Sequence, residues 1–288
     1  MRLNKLVILF VVLLLSAAAH AQAKKPITKQ GLVNAVKVNG IQYSDLGNKK
    51  SKNAIVFVHC WTCNSEFWKD NVNAFPDYRV INLDLPGHGQ SDKPKVDYSM
   101  EYFARAVDAV MKDAGVKKAV LVGHSMGTPI IRKFYELYPE KTLGLVVVDG
   151  ALIPFGPKEQ VEKFFEPMFK DYNSGAATFI DGMLQAARED VRPFIRSSML
   201  ATPDYVGQSA MKLMLDDAYA PHGKINVPVL ALMAPIAFWP KDLEAQYRSI
   251  APNLDFRMFD GASHFLQLER SVEFNGAVKG FIVKNRLL

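Results

Sequence analysis

The chain has 288 residues, 49% of them hydrophobic, with 35 Lys and Arg against 29 Asp and Glu. It can bury one large core, or a core with a small accessory unit. Its lysines fall in short scattered groups (Lys24 and Lys25; Lys49, Lys50 and Lys52; Lys117 and Lys118) with no basic stripe interleaved by aromatics, so nucleic acid is not an expected partner. Two cysteines, Cys60 and Cys63, are too few for a disulfide framework.

Arg2 and Lys5 precede an apolar run, Leu6 to Leu15, and small residues follow with A-H-A (19–21) and A-Q-A (21–23). A charged start, an apolar stretch and an A-x-A site read as a secretory signal peptide over residues 1–23, and predict a periplasmic or secreted protein. A bilayer-spanning helix needs roughly 20 apolar residues, more than this run supplies. No later stretch is apolar enough to span, so no stable membrane span is expected after processing. Cleavage would leave 33 basic against 29 acidic residues, a net charge of +4.

The pattern from there alternates strand and helix. Asn39-Gly40, set between VKV and IQY, predicts a tight hairpin turn, because both positions accept positive φ. AIVFV (54–58) is a continuous apolar run of the kind a buried parallel strand shows. A helix is expected from about Asn64 to Phe75, then the strand RVINL (79–83). Ser99 can cap a helix with Phe103, Val107, Val110 and Met111 on one face, ending at Gly115. AVLV (119–122), a helix from Thr128 to Leu137, and LVVV (145–148) follow. VLALM (229–233), a helix near Lys241 to Ile250, DFRMF (255–259) and a helix from Ser271 complete the series. This alternation predicts an α/β fold, a mostly parallel sheet with helices on both faces. Residues 151–224 break the rhythm with Met- and Phe-rich helical segments and no strand. They read as an inserted helical lid on a core formed by 24–150 and 225–288.

Two stretches carry chemistry. H-C-W-T-C (59–63) after the strand 54–58 fits either a thioredoxin-type redox pair or the start of an oxyanion loop. A disulfide between Cys60 and Cys63 that stiffens the loop is a third option in an oxidising compartment. G-H-S-M-G (123–127) places G-x-S-x-G between a strand and a helix, the setting of a nucleophile elbow. With HCWTCN (59–64), LDLPGHGQSD (83–92) and GASHFLQLE (261–269) in the same order, the chain from about Val33 onward resembles the α/β-hydrolase fold superfamily.

That resemblance implies Ser125 as nucleophile and His264, after the last strand, as its base. A serine hydroxyl needs an imidazole to take its proton at neutral pH. The oxyanion hole would use the backbone N–H groups of Met126 and Trp61. Cys60 stands where the family usually has glycine, which puts the loop's shape in question. His59 and His88 read as structural or pocket-lining, and His124, next to Ser125 on a sharp turn where neighbouring side chains point apart, reads as a residue that supports the reactive groups from behind. The family's usual acid position falls in MAPIAFWP (233–240), which has no acidic residue. Asp149, at the tip of LVVV, is the preferred acid, and Asp242 the alternative, with helix capping as its other reading.

The resulting expectation is an exported serine hydrolase acting on carboxylic esters or similar small acyl substrates through an acyl-enzyme, with no cofactor and no metal. Serine at the elbow argues against the Asp-nucleophile dehalogenases and epoxide hydrolases, and leaves C–C hydrolase, lactonase, aminopeptidase and cofactor-free haloperoxidase chemistry open. The rival readings are a non-catalytic ligand-binding protein on a hydrolase scaffold, and a thiol–disulfide oxidoreductase using Cys60 and Cys63. Phe155, Phe164, Phe165, Phe169 and Trp239 are candidates to line an apolar pocket. Substrate identity and oligomeric state are not legible.

Overall fold

The computed structural model describes residues 28–33, 38–154, 156–213, 223–236 and 239–288. The proposed signal peptide and Phe155 therefore lie outside the described residues. Among those residues eight strands form one sheet: β1 (Thr28–Val33), β2 (Val38–Gly47), β3 (Asn53–Val58), β4 (Arg79–Leu83), β5 (Lys118–His124), β6 (Thr142–Val148), β7 (Val229–Met233) and β8 (Leu254–Met258). They lie side by side in the order β1-β2-β4-β3-β5-β6-β7-β8. β1/β2 and β2/β4 pair antiparallel, and every pair from β4/β3 to β7/β8 is parallel.

The apolar strand runs follow from burial on both faces. Successive side chains of a strand point to opposite faces. Ala54, Val56, Leu121, Leu145, Val147 and Ala231 accordingly join one core cluster, while Ile55, Phe57, Val120, Val146, Leu230 and Leu232 join the other. Helices α1 (Met100–Ala114) and α2 (Gly127–Leu137) cover the first face through Phe103, Val107, Ile130 and Phe134. The final helix α9 (Ser271–Asn285) covers the second through Phe274, Val278 and Phe281. Each such fully buried side chain contributes about 1.5–3 kcal/mol relative to exposure. Ser99 caps α1 by accepting the Tyr102 N–H at 3.0 Å, and Gly115 ends it at φ 70°.

Between β6 and β7 the chain forms α3 (Lys158–Lys170), α4 (Tyr172–Leu184), α5 (Arg192–Leu200) and α6 (Asp204–Lys212), a helical layer over the carboxyl ends of the strands. After β7 come α7 (Leu243–Ile250) and, following β8, the single turn α8 (Leu266–Glu269).

Two sequence expectations are corrected. The β1/β2 hairpin exists, but Asn39 and Gly40 lie inside β2, with Val33 paired to Val38. Gly40 is buried, and its carbonyl accepts the Asp92 N–H at 3.2 Å from the loop that follows β4. That tertiary bond holds an extended Gly40 against its local turn preference. Residues 64–75 do not form an α-helix but two short 3-10 turns, Ser65–Trp68 and Val72–Ala74. Here Asn64 Oδ1 accepts the Glu66 N–H, while the Asn71 amide donates to the Gln267 carbonyl and to Asn275 Oδ1. Such Asn bonds compete with a continuing helical ladder.

Candidate active site

The carboxyl ends of β3, β5, β6 and β8 deliver the chemistry-bearing loops to one place, as expected where ligands bind an open α/β sheet. Ser125 follows β5 directly, at φ 52°. A left-handed serine is costly and is held by its surroundings: its N–H donates to the Val148 carbonyl at 2.9 Å, and its carbonyl accepts from Thr128 N at 2.9 Å. The two glycines of the motif are required by contact. A side chain on Gly123 would overlap the Gly127 carbonyl, and one on Gly127 would overlap the Val58 carbonyl of β3. The elbow is thereby wedged between two strands, with Ser125 at the head of α2.

His264 comes from the loop after β8, and its Nδ1 lies 2.6 Å from Asp149 Oδ2. Asp149 is fully buried at the tip of β6, also left-handed at φ 39°. Its other oxygen accepts the Ala234 N–H at 2.9 Å and the Trp239 indole N–H at 2.9 Å. Three donors therefore converge on one carboxylate, which compensates its removal from water. Asp242, the alternative acid, is exposed, and accepts from Gln246 on its own helix at 2.9 Å. The geometry brings Asp149, not Asp242, to His264.

His124 braces the loop from behind. It is fully buried, its Nε2–H donates to the His264 carbonyl at 2.7 Å, and its Nδ1 accepts from Gln267 at 3.2 Å. Burial holds its pKa well below the ordinary histidine value, so it stays neutral. His59 and His88 are buried away from the cavity, with ring centroids 5.1 Å apart. His59 Nδ1–H donates to the Cys60 carbonyl and Nε2 accepts from Leu85 N, a bonding pattern of the neutral ring. Burial lowers its pKa to about 4, and burial, then the neighbouring His59, lowers that of His88 to about 3.

Cys60 and Cys63 are joined by a disulfide. The left-handed residue of this loop is Thr62, at φ 54°, so Cys60 needs no glycine-like backbone. The LDLPGHGQSD turn is structural: Asp84 accepts from Ser65 N at 2.7 Å and from Gln90 N at 2.8 Å, and a side chain on Gly89 would overlap its carboxylate.

Ser125, His264, Asp149, Met126, Trp61 and Cys60 all line one cavity of about 650 Å³ beneath the helical layer. Of the anticipated aromatics, Phe164, Phe165 and Trp239 line it; Phe169 instead packs against the core. Residues 53–271 match the profile of the α/β hydrolase fold family.

The chain belongs to the α/β-hydrolase fold family.

Among its relatives is a 2-hydroxy-6-oxononadienedioate/2-hydroxy-6-oxononatrienedioate hydrolase of Paraburkholderia phymatum, 26% identical, with 84% of this chain and 90% of that protein covered. Solved structures with the same fold include an esterase from Exiguobacterium antarcticum (TM-score 0.75, 19% identity, 87% of this chain and 98% of that one). A bromoperoxidase from Bacillus anthracis is similar at TM-score 0.74, with 20% identity over 88% of this chain and 99% of that one.

In this α/β hydrolase the helical layer is bonded to both reactive loops. The Trp61 indole donates to the Gly207 carbonyl of α6 at 2.9 Å, and Thr202 Oγ donates to the Thr62 carbonyl at 2.9 Å. On the other side, Glu269 accepts from Arg188 N at 2.7 Å, while it also accepts the Ser263 N–H at 2.7 Å and the Ser263 hydroxyl at 2.8 Å. Ser263 immediately precedes His264. Sequence reasoning missed the role of Glu269 and the Trp239 bond to Asp149, whereas His124 takes the supporting place expected of it. Trp239 and Arg188 lie far from their partners in the chain, and no local pattern announces those bonds.

Proposed function

We propose that this α/β hydrolase is an exported serine hydrolase that acts on carboxylic esters or similar small acyl substrates through an acyl-enzyme at Ser125. His264 serves as general base and Asp149 orients it. With Nδ1–H donated to Asp149, the imidazole presents Nε2 toward the cavity, to take the Ser125 hydroxyl proton as the oxygen attacks the substrate carbonyl. Met126 and Trp61 line the same cavity, and their backbone N–H groups are assigned to receive the developing oxyanion, each such donor being worth about 3–4 kcal/mol. The imidazolium then protonates the departing alcohol. A water activated by the same imidazole releases the acid and restores Ser125.

The single observation that carries this reading is the 2.6 Å contact between His264 Nδ1 and a buried Asp149. It fills the acid position that residues 233–240 leave empty, and with it goes the main ground for a non-catalytic pocket. The Cys60–Cys63 bridge sits on a hydrolase loop rather than on a thioredoxin-like fold, which favours a structural role over a redox one. Export is supported by the N-terminal residues and by that bridge, since disulfides persist in oxidising compartments. Ester cleavage is preferred over the dienedioate chemistry named for the Paraburkholderia relative because, among the described residues, no lysine or arginine lines the cavity to receive a dicarboxylate.

The test is p-nitrophenyl ester turnover by purified protein. Asp149→Asn is expected to lower kcat by about 10⁴, as a wrongly oriented histidine does, and Asp242→Asn to leave it within twofold. Ordinary turnover in Asp149→Asn with collapse in Asp242→Asn would reverse the choice of acid.

A further inference from the structure

The wall of the cavity has two unlike components. Ser125, His264 and Asp149 supply its reactive groups, and most of the remaining wall is sulfur and hydrocarbon. Met100, Met126, Met183, Met199 and Met211 line it, with Phe165 and Phe179 from the helical layer. Phe164 stands at the rim, 53% exposed. The indole N–H groups and the threonine hydroxyl proton on that wall are already engaged within the protein. The Trp61 indole N–H goes to Gly207, the Trp239 indole N–H goes to Asp149, and the Thr178 hydroxyl donates to the Ser174 carbonyl.

No lysine or arginine lines the cavity among the described residues. Between residues 151 and 240 the stretches outside the described residues contain no lysine or arginine: 214–222 read MLDDAYAPH, residue 155 is Phe and residues 237–238 are Ala-Phe. Apart from His264, the ionisable side chain on the wall among the described residues is Asp149, an acidic group. Carboxylate recognition needs a positive partner, because an unpaired charge taken out of water is strongly disfavoured. Unbranched, polarisable methionines present a surface that adapts to more than one apolar shape. The volume, about 650 Å³, falls within the ~300–1,000 Å³ typical of pockets for drug-sized ligands.

We infer that the hydrolase selects uncharged esters carrying an apolar, medium-length acyl chain, laid along the methionine wall from Ser125 toward Phe164, and rejects substrates with a second carboxylate. This rests on Ser125 being the nucleophile. Selection here is by exclusion as much as by attraction: the same chain ending in a carboxylate would have to leave that charge in water or bury it without a partner.

The decisive pair is p-nitrophenyl hexanoate and its ω-carboxylate counterpart, the p-nitrophenyl monoester of adipic acid, given to the wild-type protein with p-nitrophenyl acetate as the short reference. The hexanoate is expected to exceed the acetate in kcat/KM. The adipate monoester is expected to fall at least ~100-fold below the hexanoate, the scale of an uncompensated charge. Equal kcat/KM for hexanoate and adipate monoester, within threefold, overturns the inference, as does a preference for the adipate. A fluorophosphonate probe run alongside separates this from a failure of the underlying reading. Absence of both labelling at Ser125 and turnover of any ester sinks the serine-hydrolase reading itself. Labelling without ester turnover leaves the comparison readable through competition, in which n-hexylboronic acid should protect Ser125 at a concentration at least ~100-fold lower than its ω-carboxylated counterpart, and equal protection overturns the inference.

Discussion

Ser125, Asp149 and Thr62 share a feature visible one residue at a time: each is a non-glycine held at positive φ, and each stands on a loop that reaches the cavity. The fourth such residue among those described, Arg286, ends α9. Backbone strain of about 1–3 kcal/mol per residue persists where packing over-determines it, and it concentrates at functional sites. Ser125 and His264 were legible because short motifs carry them. Asp149 was legible only as a strand tip, and what holds it was not. Trp239, 90 residues away in sequence, donates to it at 2.9 Å. Trp239→Phe keeps an aromatic ring in the cavity and deletes that donor. A lost bond to a charged group, worth roughly 1.5–3 kcal/mol, should lower kcat by about tenfold or more. Unchanged kcat would mean that Asp149 is held well enough without it. The buried histidines give a second residue-scale expectation. His59 and His88 have folded pKa values of about 4 and about 3 against an ordinary 6.5. Between those values the unfolded chain binds more protons than the folded one, so stability is fully present above about pH 6.5 and declines as pH falls toward 4 and then 3. Urea unfolding at pH 8 and pH 5 should show that loss, and His88→Phe, which cannot titrate, should show less of it. An identical pH slope in the variant would remove His88 from the explanation.

At the scale of elements, periodicity served well where burial decides and poorly where a distant partner decides. The strands at 54–58, 79–83, 119–122 and 145–148 stand where their apolar runs placed them, because both faces of the sheet are covered. Asn39-Gly40 has the chemistry of a turn, yet Gly40 is committed to Asp92 and remains extended. The 64–75 segment has helical spacing, but its polar residues bond elsewhere, to Gln267 and Asn275 among others. The helical layer follows the same lesson: its composition announced helices, but not the bonds that tie α6 to Trp61 and Arg188 to Glu269. Glu269 is the joint between the α4–α5 connection and the residue before His264. Glu269→Ala should therefore lower kcat by about 10–100-fold, since three charge-assisted bonds disappear, while Glu269→Gln, which can still accept, should recover part of it. Equal loss in both variants would point to the charge itself rather than to the bonds.

For the whole molecule, the disulfide is the feature that links compartment to fold. It closes a very short loop, for which the chain-entropy relation gives about 2 kcal/mol. The paired Cys60→Ser, Cys63→Ser variant should thus melt about 4–8 °C lower while keeping the sheet that positions Ser125 and Asp149. No helix among the described residues is long and apolar enough to cross a membrane. The N-terminal residues are proposed to direct export, and cleavage at either A-x-A site would start the mature chain at residue 22 or 24. What the molecule as a whole is proposed to do is bring three residues, separated by up to 139 positions in the chain, to one carbonyl. Peptide mapping by mass spectrometry after treatment with a fluorophosphonate tests that most directly. Expected is a single adduct on the peptide containing Ser125, absent from Ser125→Ala and formed far more slowly in His264→Ala. An adduct at a different residue, or ester turnover that survives Ser125→Ala, would contradict it.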